Sequence, residues 1–266
     1  MKNLLHIPYF VYVCILFIGL IILSFPITLL LLLFPDKYKD AGMFGLMKLI
    51  SNIWFILIGM PPKNYHRKRV DFSKSYIITP NHQSYLDAAI IYTAIPHLFK
   101  TLGKKEIEKA PIYGVIYKAV VITVDRSSLV ARATSFRKMK TELAKGISIA
   151  IFPEGTFTPA PQETLLPFQD GCFSLAIMQQ ADILPVLFLD ASQRLHPSKI
   201  IRFTPGKNRV VYLAPISSQG FEKKDIDLLK NYTQVYMQAC FTHSRLQDPE
   251  TTWDFALDWQ KNNPIV

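Results

Sequence analysis

Residues 9–34 contain no charged side chain, and this run limits the chain's possible folds more than any other stretch. A helix rises about 1.5 Å per residue, so the run is long enough to cross a hydrocarbon core about 30 Å thick. It is too long for the apolar region of a signal peptide, and no small-residue cleavage site follows it, so retention is expected. Pro26 is the expected point of bending. Residues 41–60 form a second apolar stretch with one charge, Lys48, and end at Pro61-Pro62. Between them, Pro35-Asp36-Lys37-Tyr38-Lys39-Asp40 is a linker short enough for a helical hairpin. Lys63, Arg67, Lys68 and Arg69 then follow, a cationic flank suited to the cytoplasmic side and its anionic headgroups. Two crossings, a hairpin dipped into one leaflet and an interfacial amphipathic helix all satisfy this pattern.

The 266 residues are 50% hydrophobic and 19% charged, which excludes a disordered chain and allows a substantial core. A formal charge of +10 favours an anionic partner, and the apolar N-terminal segment makes that a phospholipid membrane and no nucleic acid. Cys14, Cys172 and Cys240 are widely spaced, with neither a metal-ligand pattern nor a disulfide framework. No internal repeat or low-complexity segment is present.

From Ser75 onward, short β-rich runs alternate with helical patterns. Strands are expected at 76–79, 100–103, 120–124, 147–152 and 183–189, and helices at 84–94, 131–143, 168–180 and 225–243. Residues 200–213 suggest a β-hairpin around Gly206-Lys207-Asn208. The fold expected is α/β: a mainly parallel sheet flanked by helices, with an N-terminal membrane-associated helical hairpin. The expected division is a hairpin over 1–62 and a soluble domain over 63–266. In such sheets, sites collect beyond the carboxyl ends of strands.

Two polar clusters directly follow predicted strands. In Asn81-His82-Gln83-Ser84-Tyr85-Leu86-Asp87, His82 is of the residue type most often used as a general base, and Asp87 in the first helical turn can orient it. The same segment also fits a capping box, with Asp87 reaching back to backbone donors and His82 an ordinary loop residue. In Phe152-Pro153-Glu154-Gly155-Thr156, Gly155 permits a turn and close approach of a ligand. Its free amides and the Thr156 hydroxyl suit an anion, while Glu154 can accept from a substrate hydroxyl or hold a basic residue; a plain tight turn is the alternative. Arg126 and Lys104, each at the end of a strand, are candidate phosphate ligands. Ser127, Ser128 and Ser192 lack a nucleophile-elbow context, so an acyl-enzyme route has little support.

Taken together, these clusters, with Val124-Asp125-Arg126 and Leu184-Pro185-Val186, resemble the four ordered blocks of the PlsC-type glycerolipid acyltransferases, the 1-acylglycerol-3-phosphate acyltransferases and their relatives. The resemblance covers about residues 63–215. It implies that His82 takes the proton from a lysolipid hydroxyl, with Asp87 orienting it. The hydroxyl would attack the thioester of acyl-CoA or acyl-carrier protein in one step, with no metal and no bound cofactor. Lys104, Arg126, Glu154, Gly155 and Thr156 would hold the acceptor's phosphate, and the acyl chain would lie in an apolar tunnel beneath the hairpin. A bacterial inner membrane, with the site facing the cytoplasm, is the expected location.

The chain departs from the family pattern in places. The third block usually continues with arginine, where this chain has Phe157, and a downstream lysine is replaced by Gln169. The second block often begins with glycine and carries an aromatic near its end, where Val120 and Thr123 stand here. Two expected cations are absent, so a lyso-amino-acid lipid is an alternative acceptor to lysophosphatidate. A catalytically silent lipid-binding protein is the rival from another class.

Overall fold

The computed structural model describes residues 6–125, 128–156, 164–199 and 201–265. Its N-terminal part is a helical pair, α1 (His6–Leu31) and α2 (Asp36–Leu57). Both are long and apolar enough to cross a membrane by length and composition. Helix α1 runs on through Pro26. The turn is shorter than the expected linker: Pro35 immediately precedes α2, and residues 36–40 are helical. Proline is tolerated where a helix begins, and Asp36 in the first turn complements the positive end of the helix dipole.

Among the described residues, seven strands follow: β1 (Pro62–Tyr65), β2 (Ile77–Pro80), β3 (Phe99–Lys104), β4 (Val121–Val124), β5 (Ser148–Ala150), β6 (Ile183–Phe188) and β7 (Asn208–Tyr212). They make one sheet in the order β1-β7-β6-β2-β5-β3-β4. Every neighbouring pair is parallel except β6 with β7. Parallel neighbours need crossovers, which include α3 (Asp87–Ala94), α4 (Tyr113–Val120), α5 (Leu129–Ala144) and α6 (Gly171–Gln179). A short α7 (Ala191–Arg194), then α8 (Ile226–Leu246) and α9 (Thr252–Asn262), complete the chain. Strands β2, β5 and β6 are buried along their whole length, as parallel strands covered on both faces must be.

Helix α2 joins the hairpin to the sheet. Met43, Met47, Trp54 and Phe55 share one apolar core with Ile78, Ala150 and Val186. Lys100 of β3, almost fully buried, donates to Asp40 Oδ1 at 2.8 Å and to the Ala119 carbonyl at 3.1 Å. The outer face of α1 is unlike this: Ile15, Ile18, Ile22, Leu23 and Leu30 are exposed. A second core on the other side of the sheet packs Phe173, Leu187, Val211, Tyr236 and Phe241.

Several expectations change. No hairpin forms around residues 206–208; β7 pairs antiparallel with β6 and parallel with β1. Gly206 instead has φ +137°, and its amide donates to the Gly59 carbonyl at 3.0 Å. Val120 ends α4 rather than opening β4. In the cationic flank, Arg69 pairs with Asp254 at 2.8 Å and lies over the Trp253 ring, while Lys63 lies over Tyr65. Those two residues are thus engaged within the protein.

Candidate active site

Strands β2, β5, β3 and β4 are adjacent and parallel, so the residues that follow them emerge along one edge of the sheet. Asn81, fully buried just past β2, clamps the end of β6. Its Nδ2 donates to the Phe188 carbonyl at 3.2 Å, and its Oδ1 accepts from the Phe188 amide at 2.6 Å. Ser84 Oγ donates to the Leu195 carbonyl at 2.8 Å. Held at both ends, the segment between turns sharply into α3, which begins at Asp87 rather than Ser84.

Asp87 satisfies both sequence interpretations with one oxygen. Its Oδ2 accepts from the Gln83 amide at 2.7 Å and the Ser84 amide at 2.8 Å, and meets His82 Nδ1 at 2.8 Å. Asp87 is fully buried, and the His82 side chain is 18% exposed. With Nδ1–H directed to the carboxylate, the neutral imidazole carries its accepting lone pair on Nε2. The ring is further fixed by stacking on Phe152, with centroids 4.2 Å apart.

The second cluster arrives from β5 and meets the first directly. Glu154 Oε1 accepts from the His82 amide at 2.7 Å, and Oε2 accepts from the Leu166 amide at 2.8 Å. This carboxylate is 2% exposed, and burial pushes its pKa up to about 7 despite the two amides that favour the charged form. Glu154 was expected among the acceptor ligands; instead it straps two loops together, and its neighbours Pro153, Gly155 and Thr156 line the cavity described below.

Gly155 has φ +68°, and a Cβ there would stand 3.3 Å from Gln169 Cγ. The expectation of free amides in this turn is corrected in part. The Gly155 amide closes the turn on the Phe152 carbonyl at 3.0 Å, and the Gln169 amide donates to the Pro153 carbonyl at 2.8 Å. Gly155 therefore allows close approach rather than supplying a donor.

His82 opens onto a cavity of about 1350 Å³. One wall is apolar and comes from the hairpin, including Val13, Phe17, Ile21, Met47 and Trp54. The other carries Lys104, Thr156, Gln169 and the start of α6. Lys104 ends β3 and is exposed at this cavity. Arg126 and Phe157 lie outside the described residues. Arg132 of α5 is a lining cation that sequence reasoning missed. It shares a helix face with Ser135 and Met139, which also line the cavity, and that i, i+3, i+7 spacing was the available signal. Among the described residues, no group of three or more histidine, cysteine, aspartate or glutamate side chains converges on a metal position.

Residues 62–189, which contain all four sequence blocks, match the family model described as Acyltransferase. An uncharacterized acyltransferase of Schizosaccharomyces pombe is 30% identical over 166 residues, covering 62% of this chain and 59% of its own. The alpha form of 1-acyl-sn-glycerol-3-phosphate acyltransferase from Bos taurus is 29% identical over 171 residues, covering 64% and 58%. The alignments thus span under two thirds of these relatives' length. The crystal structure of the 1-acyl-sn-glycerophosphate acyltransferase PlsC from Thermotoga maritima superposes with a TM-score of 0.70. It covers 92% of this chain and 96% of its own at 20% identity, which speaks to the fold. With its sequence blocks brought together at one sheet edge, the chain carries an acyltransferase domain over residues 62–189 that is similar in sequence to the 1-acyl-sn-glycerol-3-phosphate acyltransferases.

Proposed function

We propose that this protein is a membrane-bound O-acyltransferase that moves a fatty acyl group from acyl-CoA or acyl-carrier protein to the hydroxyl of a lysophospholipid. The observation that carries this reading is the His82–Asp87 pair at 2.8 Å, opening onto a large cavity whose far wall is apolar. A base needs to meet a hydroxyl, and a fatty chain needs somewhere dry to lie. The names of the curated relatives point to 1-acylglycerol-3-phosphate as the first acceptor to test, with phosphatidate as product.

In this mechanism His82 Nε2 accepts the hydroxyl proton as the oxygen attacks the thioester carbonyl. The C–O bond forms, the C–S bond breaks, and the departing thiolate takes the proton back from the imidazolium. Asp87 holds the ring and stabilises its charged form between those two transfers. Lys104, Arg132 and Arg126 are the proposed partners for an acceptor phosphate. Helix α2 is packed into the soluble core, so the hairpin attaches to one face of the bilayer without crossing it. The exposed face of α1 supplies the apolar contact, and the excess of cations favours an anionic cytoplasmic leaflet.

Gln169 beside Gly155 favours a second acceptor class, because it places an amide where the family often has a lysine. A lyso-amino-acid lipid asks for fewer cations. The test is a product assay on vesicles with labelled acyl thioester and each lysolipid in turn, comparing the parent protein with His82→Ala. Phosphatidate that requires His82 supports the first acceptor, and product from the amino-acid lipid alone moves the substrate. Equal product from His82→Ala, or none from either acceptor, overturns the catalytic reading.

A further inference from the structure

The segment between α7 and β7 is fastened to the hairpin at the end remote from Pro35. Phe203 is buried, with its ring 5.8 Å from Tyr9 of α1 and 6.4 Å from Trp54 of α2. The Gly206 amide donates to the Gly59 carbonyl, and Asn208 Nδ2 donates to the Met60 carbonyl at 3.3 Å. These contacts set the loop beside the N-terminal end of α1.

What the loop leaves outside is unusual for a polar connection. Ile201 is 56% exposed, next to Arg202 in sequence. A turn closed by the Arg202 amide on the Lys199 carbonyl, at 2.8 Å, brings those two cations together, and Lys207 follows; all three are exposed. No acidic residue occurs between Asp190 and Glu222. An exposed isoleucine within an all-cationic rim, continuous with a helix that exposes its own apolar face, matches the chemistry of an anionic lipid interface.

We propose that this loop is a second bilayer contact, with Ile201 entering the headgroup–acyl boundary and Lys199, Arg202 and Lys207 against anionic headgroups. The proposal rests on the membrane reading above and adds a function to it. A single helix lying in the interface leaves the protein free to roll about that helix. A second contact beside its N-terminal end removes this freedom and fixes how the cavity faces the lipid.

The test uses the full chain with an environment-sensitive fluorophore on a cysteine at either of two positions, Ile201→Cys or Leu23→Cys. Leu23 is 73% exposed on α1. The labelled parent chain, whose own cysteines are buried or half-buried, sets the background. Vesicles of phosphatidylcholine and phosphatidylglycerol carry lipid-borne quenchers at shallow or deep positions. Quenching is expected at both sites, with position 201 favouring the shallow quencher. A water-like signal at 201 beside a quenched one at 23 overturns the loop contact and leaves the hairpin contact standing. No quenching at either site overturns both.

Charge is tested separately. Lys199→Ala, Arg202→Ala and Lys207→Ala should each weaken partitioning to the anionic vesicles by about fivefold, the scale for one cation at such a surface. Partitioning to pure phosphatidylcholine should stay unchanged. Equal losses on both vesicle types, or none on the anionic ones, would overturn the headgroup assignment and leave a protein partner as the occupant to seek.

Discussion

Replacing Glu154 by glutamine keeps the side chain's size and removes its charge, so it isolates what burial of that charge does. In the folded protein the carboxyl rises from its ordinary 4.5 to about 7, because desolvation outweighs the His82 and Leu166 amides. Between those two values the folded state binds more protons than the unfolded state. Stability from this group is therefore present at low pH and declines as pH rises through the window. Linkage puts the decline on the order of 2–3 kcal/mol between pH 5 and pH 8. Glutamine does not titrate there. The unfolding free energy of Glu154→Gln relative to the parent should then improve by that amount over the same interval. Subtracting the parent cancels the titrating groups that do not interact with Glu154. Glutamine also presents an NH2 to one of the two amides, so one bond of the strap is lost, and turnover should fall about tenfold if that bond positions His82. The assay is urea unfolding in detergent, followed by tryptophan fluorescence at both pH values. A difference between variant and parent that does not change with pH would refute the reasoning.

Asp87→Asn should lower kcat by roughly 10²- to 10⁴-fold with little change in either KM, because it removes the charge that stabilises the imidazolium while the Gln83 and Ser84 amides still hold the side chain. The amide oxygen, held by those two amides, also faces His82 Nδ1 and keeps the ring in place; steady-state kinetics with a folding check by circular dichroism reads this out. At Gly155, φ of +68° predicts the stability order Gly, then Asn, then Ala, with Gly155→Ala losing about 1–2 kcal/mol. An alanine variant as stable as the asparagine variant would count against that order. Arg132→Ala should raise the KM for lysophosphatidate by at most about fivefold, as suits an exposed charge, and leave the KM of a neutral lysolipid unchanged. Arg126→Ala should likewise raise the acceptor KM more than the thioester KM.

The parts legible in the sequence are those whose cause is local. His82 and Asp87 flank a helix start, and Gly155 follows a β-rich run, so both stood out as candidates from local pattern, while their roles came from the resemblance of the blocks taken together. Helix α4 was missed because Tyr113–Val120 runs straight into Val121–Val124 with no stop residue between helix and strand. Strand β1 is four residues opened by a proline, allowed at the first position of an edge strand, and its partner, β7, lies in the far half of the chain. The supposed hairpin at 206–208 failed for the same kind of reason. Its glycine serves an approach to Gly59, which no local pattern announces.

The direction in which a motif's side chains point is the deeper difficulty. In Phe152-Pro153-Glu154-Gly155-Thr156, the sequence presents one acid between a proline and a glycine, and chemistry suggests that the acid meets substrate. The fold turns it the other way. Glu154 takes the amides of His82 and Leu166, from segments on either side of it in the chain, while Gly155 and Thr156 face the cavity. A buried carboxylate with both oxygens occupied by backbone donors has little left with which to bind a ligand, yet it holds the base in register with the turn beside it. Asp87 shows the same economy from the other side, because the oxygen that ties down the turn before α3 is the one that orients His82. At this site scaffold and chemistry are shared by single atoms, so the residue types were readable and the division of labour among them needed the fold.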